Sequence, residues 1–276
     1  GVEMQVLSLT SPGCQGVSDP VEAHNMAVEI RAHSLIQPTM LKTESYIAEK
    51  VKANPSRFAA FAAVSKHDPK QAAKELSRAV IELGCVGVMI NDFQSSGPDG
   101  NTTLFYDNPA YDIFWAAVED LDVPVGLHPR LPSKLVFDEL YSDRKWLQAS
   151  AWGFTNQLSS DILGIVTSGV FDRFPGVQLV FGHMGEHIPF DLWRLDHNLI
   201  VNADSDYFGT NMHITTSGHF STRSLQGAIT ELSSSRIMFS IDYPYEDGLM
   251  EGSNWFDALP LCAALLGPCV NFIRKI

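Results

Sequence analysis

The sequence predicts an α/β protein of the (β/α)8 TIM-barrel-like kind, and three observations lead there. Short β-branched or aromatic apolar runs alternate with longer stretches of helical spacing. Nearly every apolar run ends in polar residues, as expected where chemistry sits at the C-terminal ends of many strands. No GxGxxG or Walker loop follows any of them, so an open nucleotide-binding sheet would lack an anchor for phosphates.

Taken in order, the apolar runs begin near Met4, Phe58, Val86, Pro124, Val177, Met212 and Ile237, each short enough for a buried parallel strand. Between them, Pro69 to Leu83 and Pro109 to Leu121 open on a proline and carry 3.6-type apolar spacing, which reads as a helix after each strand. The strand ends carry Ser8 and Thr10, Ser65 and His67, Asn91 and Asp92, His128 and Arg130, His183 and Glu186, Thr215 to Ser217, and Asp242. A closed barrel of this type takes about eight strands, whereas seven are visible and the first, Met4 to Leu9, lies at the start of the chain. We therefore expect residues 1–276 to form one barrel domain, N-terminally incomplete and lacking the first βα unit. Trp146, Trp152 and Phe154 fall in a long segment after His128 and are expected in a loop, either partly covering the barrel mouth or packed on the outer surface.

Composition narrows the partners. Lys and Arg total 19 against 32 Asp and Glu among 276 residues, a formal net charge of -13, and no basic run could track a phosphate backbone. Nucleic acid is excluded on that ground. The apolar stretches Phe58 to Val64 and Leu259 to Val270 are too short or too broken by Pro260, Gly267 and Pro268 to span a bilayer, which needs about 18 residues. Cys14, Cys85, Cys262 and Cys269 form no CxxC pair, which fits unpaired thiols and a cytoplasmic location.

Three strand ends carry candidate chemistry. His128 closes Val123-Pro124-Val125-Gly126-Leu127 and is either a neutral imidazole binding a divalent metal or a hydrogen-bonded histidine beside a turn proline. Asp242 closes Ile237-Met238-Phe239-Ser240-Ile241, where a carboxylate needs a metal or a charged donor beside it unless it simply caps the turn before Pro244. His183-Met184-Gly185-Glu186-His187 formally matches the HxxEH zinc-peptidase pattern, but that pattern needs a helix and Pro189 would then fall inside it. The segment reads instead as strand, then Gly182, then His183 and Glu186 as a pair able to share a proton, with a helix beginning near Ile188. Arg130 and Arg194 are the cations nearest these motifs, suited to an anionic substrate or to plain ion pairing.

These residues resemble a known family, the metal-dependent aromatic acid decarboxylases of the amidohydrolase superfamily. Its members include fungal 2,3-dihydroxybenzoate decarboxylase, the salicylate and γ-resorcylate decarboxylases and aminocarboxymuconate-semialdehyde decarboxylase. The resemblance runs from about Val2 to Asp257 and rests on Leu7-Ser8-Leu9-Thr10-Ser11-Pro12-Gly13, Arg57-Phe58-Ala59-Ala60-Phe61-Ala62, Leu127-His128-Pro129-Arg130, Phe181-Gly182-His183-Met184-Gly185-Glu186-His187-Ile188-Pro189, Trp193-Arg194, Thr215-Thr216-Ser217-Gly218 and Phe239-Ser240-Ile241-Asp242-Tyr243-Pro244. It implies a barrel of the metal-dependent hydrolase type, with His128 and Asp242 as ligands of a divalent metal (Zn, Mn or Mg). The same resemblance implies His183, Glu186 and Asp242 as the catalytic set, with Asn91 and Arg194 near a small aromatic carboxylate substrate. A homodimer or homotetramer is also implied. The family's first strand, with its Glu-x-His or Glu-x-Ala motif, is not among the matched segments. Asn198 to Tyr207 looks shortened, and Leu261 to Ile276 does not read like the family's closing helix.

The implied reaction is non-oxidative loss of CO2 from an ortho-hydroxybenzoate such as 2,3-dihydroxybenzoate, with the ring held by the metal and an acid protonating the carbon that bears the carboxylate. Two alternatives stand beside it. One is a metal-dependent hydrolase of a lactone or amide on the same barrel; the other is a catalytically silent truncated homologue.

Overall fold

In a computed structural model, residues 4–9, 11, 13–28, 51–198, 204–243, 245 and 248–259 are described. Thr10, Pro12, His33, Pro244, Cys262, Cys269 and the 261–276 segment lie outside them. The chain separates into two compact units, residues 1–177 and 178–276.

The first unit is built on parallel strands β1 (Gln5–Leu7), β2 (Phe58–Ala63), β3 (Gly87–Asn91) and β6 (Val125–His128), with β4 (Gln94–Ser96) and β5 (Thr102–Leu104) forming a small antiparallel hairpin. β2 reads Phe-Ala-Ala-Phe-Ala-Ala, and Ala59, Ala60, Ala62 and Ala63 are all buried, as expected of a strand covered on both faces. Phe61 pairs with Gly87 on β3; a Cβ at Gly87 would lie 2.6 Å from the Phe61 ring and 2.8 Å from the Pro124 carbonyl. Glycine is what lets those strands close up there. At the other end of β3 the register sets Asn91 opposite His128, so two of the candidate residues share one strand-end row.

After α1 (Pro20–Val28), helix α2 (Pro69–Leu83) shows why the sequence signal is clear. Asp68 caps it by accepting from the Lys70 and Gln71 amides, Pro69 occupies the first turn, and Gly84 ends it at φ 74°. It buries Ala72, Ala73, Leu76 and Ala79. The predicted helix from Pro109 begins as a 3-10 turn capped by Asn108 and continues as α3 (Asp112–Asp120), burying Phe114, Trp115 and Val118. After β6 the long segment is more ordered than a loop. Trp146 lies in a 3-10 turn and is 73% exposed, whereas Phe154 belongs to α4 (Gly153–Thr167), which is followed by α5 (Val170–Arg173).

Strands β7 (Leu179–Phe181), β8 (Met212–Thr215) and β9 (Ile237–Met238) form the parallel set of the second unit, with Leu179 opposite Met212 and Ile214 opposite Ile237. Helices α6 (Ile188–Asn198), α7 (Asp204–Thr210), α8 (Thr222–Leu232) and α9 (Gly248–Asp257) accompany them. Ser221 caps α8 through the Ser224 amide, and Leu225, Ala228 and Leu232 make its buried face. Pro189 sits in the first turn of α6, so the HxxEH stretch precedes the helix, as its proline demands.

Candidate active site and metal centre

At the β6 end of the first unit, His128 is half-buried and its Nδ1 lies 2.6 Å from the Pro129 carbonyl. A carbonyl only accepts, so Nδ1 carries the proton and the ring lone pair is on Nε2, the arrangement that suits a metal ligand. Asn91 is buried; its Nδ2 donates to the His128 carbonyl at 3.1 Å and fixes the backbone on which the imidazole stands. Arg130 does something other than meet an anion: it is buried, stacks on Phe93, and donates to the Gln15 and Phe93 carbonyls and to Ser95 Oγ. It ties the β4 hairpin to the strand ends.

The second unit brings His183, Glu186 and Asp242 together. Past the end of β7 the backbone turns left-handed at His183 (φ 54°), Met184 (58°), Gly185 (85°), Glu186 (52°) and His187 (70°), and again at Asp242 (59°). Non-glycine residues adopt this region at a cost, and a run of them at one strand end marks a site held by its surroundings. That path folds Glu186 back onto the ring: Nδ1 of His183 is hydrogen-bonded to Glu186 Oε1, and Glu186 is almost wholly buried. Nε2 faces Asp242 Oδ2 at 3.7 Å. Desolvation alone would lower the His183 pKa, but the hydrogen bonds and charges of Asp242 and Glu186 outweigh it and raise it to about 10.

Strand β8 supplies the support. Ser217 Oγ accepts from the His183 amide at 3.4 Å and is bonded to Thr215 Oγ1 at 2.7 Å, while Thr216 Oγ1 bridges the Ser240 carbonyl and amide at 2.8 and 3.0 Å. Gly218, at φ 61°, lies where a Cβ would be 3.2 Å from Asp242 Oδ2 and 3.3 Å from His183 Cδ2. It therefore leaves room for both functional side chains. Arg194 lies exposed on α6, its carbonyl accepting from Asn198 Nδ2.

Other histidines have structural partners. His67 Nε2 lies 2.9 Å from the Val17 carbonyl and 3.0 Å from Gln94 Nε2, His213 lies 3.4 Å from Arg236, and His197 stacks on Trp193. Sequence reasoning passed over Lys66, which is fully buried with its amine over the rings of Phe114 and Tyr106; burial holds its pKa well below the usual lysine range. Its neighbours Ser65 and His67 gave no hint of such burial.

A family model described as amidohydrolase matches residues 16–265. The chain belongs to this amidohydrolase family. Its fold is TIM-barrel-like, as expected from the sequence: the crystal structure of 2,6-dihydroxybenzoate decarboxylase from Rhizobium superposes with a TM-score of 0.88 at 36% identity, covering 99% of this chain and 84% of that one. The γ-resorcylate decarboxylase of Rhizobium sp. (strain MTP-10005) is 39% identical over 275 residues, 96% of this chain and 79% of the relative. The 2,3-dihydroxybenzoate decarboxylase of Aspergillus niger is 24% identical over 254 residues, 63% of this chain and 87% of the relative. A Polaromonas sp. JS666 dihydroxybenzoic acid decarboxylase with bound manganese and 2-nitroresorcinol gives a TM-score of 0.89 at 33% identity, covering 100% of this chain and 82% of that one.

Proposed function

We propose that this chain is a metal-dependent carboxy-lyase that removes CO2 from an ortho-hydroxybenzoate, with 2,6-dihydroxybenzoate ahead of 2,3-dihydroxybenzoate. The observation that carries the reading is the His183–Glu186–Asp242 arrangement, an imidazole bracketed by two carboxylates at the end of a buried strand. The order of substrates is supported by 39% identity to the γ-resorcylate enzyme against 24% to the 2,3-dihydroxybenzoate enzyme.

His128 and Asp242 fit a divalent ion, since one offers Nε2 with Nδ1 already engaged and the other a half-buried carboxylate, whereas His183, the remaining candidate donor, is held protonated by Glu186 and Asp242 and has no lone pair to give. When bound, such an ion would chelate the substrate carboxylate and its ortho hydroxyl and so fix the ring. The remaining work falls to the protein. Glu186 and Asp242 hold His183 cationic beside the reacting ring, where it steadies the negative charge of a carboxylate or phenolate. Protonation of the carbon that bears the carboxylate requires an acid within reach, and Asp242, exchanging a proton with His183, is that acid. Asn91 and Arg194 orient the substrate, and His183 with Glu186 replenishes the proton. The family match runs across both units, and we take the chain as one catalytic domain.

We further propose that it works in the cytoplasm as a homodimer or homotetramer. Among the described residues no helix is long and apolar enough to cross a membrane. Leu131, Leu135, Leu140 and Trp146 are all more than half exposed, which supports association; a monomeric mass by light scattering would contradict it.

The test of function is direct. The chain, reconstituted with manganese, is incubated separately with 2,6-dihydroxybenzoate, 2,3-dihydroxybenzoate and a set of aryl lactones. We expect resorcinol from the first at a higher kcat/KM than catechol from the second, and no lactone opening. Lactone hydrolysis without decarboxylation would replace this reading with the hydrolase one.

A further inference from the structure

Arg130 stands two residues beyond the metal-ligand candidate His128, and it is buried. A buried cation is costly unless its donors are met. Here they are met by neutral groups from three places. Nη1 donates to the Gln15 carbonyl at 2.7 Å and to the Phe93 carbonyl at 3.2 Å, Nη2 donates to Ser95 Oγ at 2.9 Å, and the guanidinium carbon lies 4.2 Å from the centre of the Phe93 ring. Gln15 belongs to the 3-10 turn Gly13–Gly16, Phe93 follows β3, and Ser95 lies in β4. The Gln15 carbonyl is itself fixed, since the buried Gln94 donates to it at 3.1 Å. A flat fork of separated donors suits three such acceptors; the single ammonium of a lysine does not.

What this fork holds is the peptide that orients the His128 ring. The carbonyl that keeps the proton on His128 Nδ1, at 2.6 Å, is that of Pro129, and its carbon is bonded to the Arg130 nitrogen. Asn91 Nδ2 donates to the His128 carbonyl at 3.1 Å but reaches the Pro129 carbonyl only at 3.5 Å, the weak limit of a hydrogen bond. The firmer hold on that peptide is therefore on its Arg130 side. Were the peptide to rotate, its carbonyl would leave Nδ1. The ring proton would then be free to move to Nε2, and the lone pair a metal needs would no longer be presented there.

We infer that Arg130 is a positioning residue for the candidate metal centre. By anchoring the Pro129–Arg130 peptide it keeps His128 in the Nδ1–H tautomer, with Nε2 open to a divalent ion. The inference rests on the reading of His128 as a metal ligand. It gives Arg130 a task at the site that needs no contact with substrate.

The experiment compares the full chain with Arg130→Lys, which keeps the charge and loses the fork, and with Ser95→Ala, which keeps the arginine and removes one acceptor. Two quantities are measured. The His128 tautomer is read in metal-free protein by nuclear magnetic resonance of nitrogen-labelled histidine, with His128→Asn assigning the signal, and the manganese dissociation constant is read by titration. We expect the parent to carry the proton on Nδ1. Arg130→Lys should place part of it on Nε2 and bind manganese about tenfold or more weakly, the usual scale for losing a group that orients a metal ligand. Ser95→Ala should move both quantities the same way but by less, about threefold in affinity, the net worth of roughly one hydrogen bond; it carries the test if Arg130→Lys fails to fold. The inference is overturned if the folded variant keeps the parent's tautomer, even with metal binding weakened, because that is general loosening. It is equally overturned if the parent itself carries the proton on Nε2, or if the variant's tautomer shifts while its manganese affinity stays at the parent's. A parent that binds no manganese overturns the metal reading alone, since the tautomer still decides whether Arg130 positions His128.

Discussion

The ends of β6 and β7 are made differently, although each presents a histidine. His128 closes an unstrained strand. Its ring is oriented by the carbonyl of the next residue, its backbone is held by Asn91, and no left-handed turn intervenes. His183 enters a run of five residues with positive φ, of which only Gly185 adopts that region freely, and its ring is set between two carboxylates. The first arrangement presents a lone pair to a ligand; the second accumulates charge beside a reacting group. We read the contrast as a division of labour, with the β6 end holding and the β7 end moving protons.

The largest expected effect removes the β7 side of that contrast. His183→Ala should lower kcat by about a thousandfold or more, the scale of losing an acid-base group together with charge stabilisation, with far-ultraviolet circular dichroism unchanged. Steady-state turnover within tenfold of the parent would assign the proton handling elsewhere.

A second prediction concerns stability in the same unit. Burial, then the Arg236 charge, depress the His213 pKa to about 4, below the unfolded value of about 6.5. The unfolded chain therefore takes up a proton between pH 6.5 and 4 while the folded chain does not. Stability is fully present above that window and falls through it, by on the order of 2 kcal/mol after allowance for partial exposure. Urea denaturation should show the slope in the parent and lose it in His213→Gln.

Gly218→Ala should cost about 1–3 kcal/mol, because a side chain at φ 61° is strained and its Cβ would crowd Asp242 and His183. Activity should drop with stability, since the pair it crowds is the working pair. The smallest effect belongs to the relaxed end: Asn91→Ala should raise KM about fivefold, the loss of roughly one neutral hydrogen bond, here the one that holds the His128 backbone, and change kcat less. Loss of kcat with KM unchanged would place Asn91 in the chemistry.

Much of this contrast was legible in the sequence. The strands were found from short β-branched runs, and His128, His183 and Asp242 stood out because polar residues that close apolar strands need a reason to be there. The veto of the HxxEH helix rested on Pro189 alone, and the structure bears it out. What stayed hidden was conformation that side-chain type does not encode. His183, Met184, Glu186 and His187 are ordinary residues in a left-handed path, and only Gly185 hinted at it. The β4–β5 hairpin escaped because Gln-Ser-Ser and Thr-Thr-Leu are short and polar. Asp92 was noticed as a strand-end residue, but its burial opposite Asp161 depends on a helix some 70 positions away in the chain. Arg130 was read beside the anion-binding candidates, whereas long-range backbone contacts to Gln15 give it a structural task.

Metal content tests the division of labour most directly. The parent, His128→Asn and His183→Asn are purified identically, loaded with manganese, passed through desalting and measured by mass spectrometry for bound metal, with decarboxylation assayed on the same samples. The account predicts that His128→Asn loses the metal, while His183→Asn keeps it at the parent's stoichiometry and loses turnover. Metal retained in His128→Asn and lost in His183→Asn would contradict it.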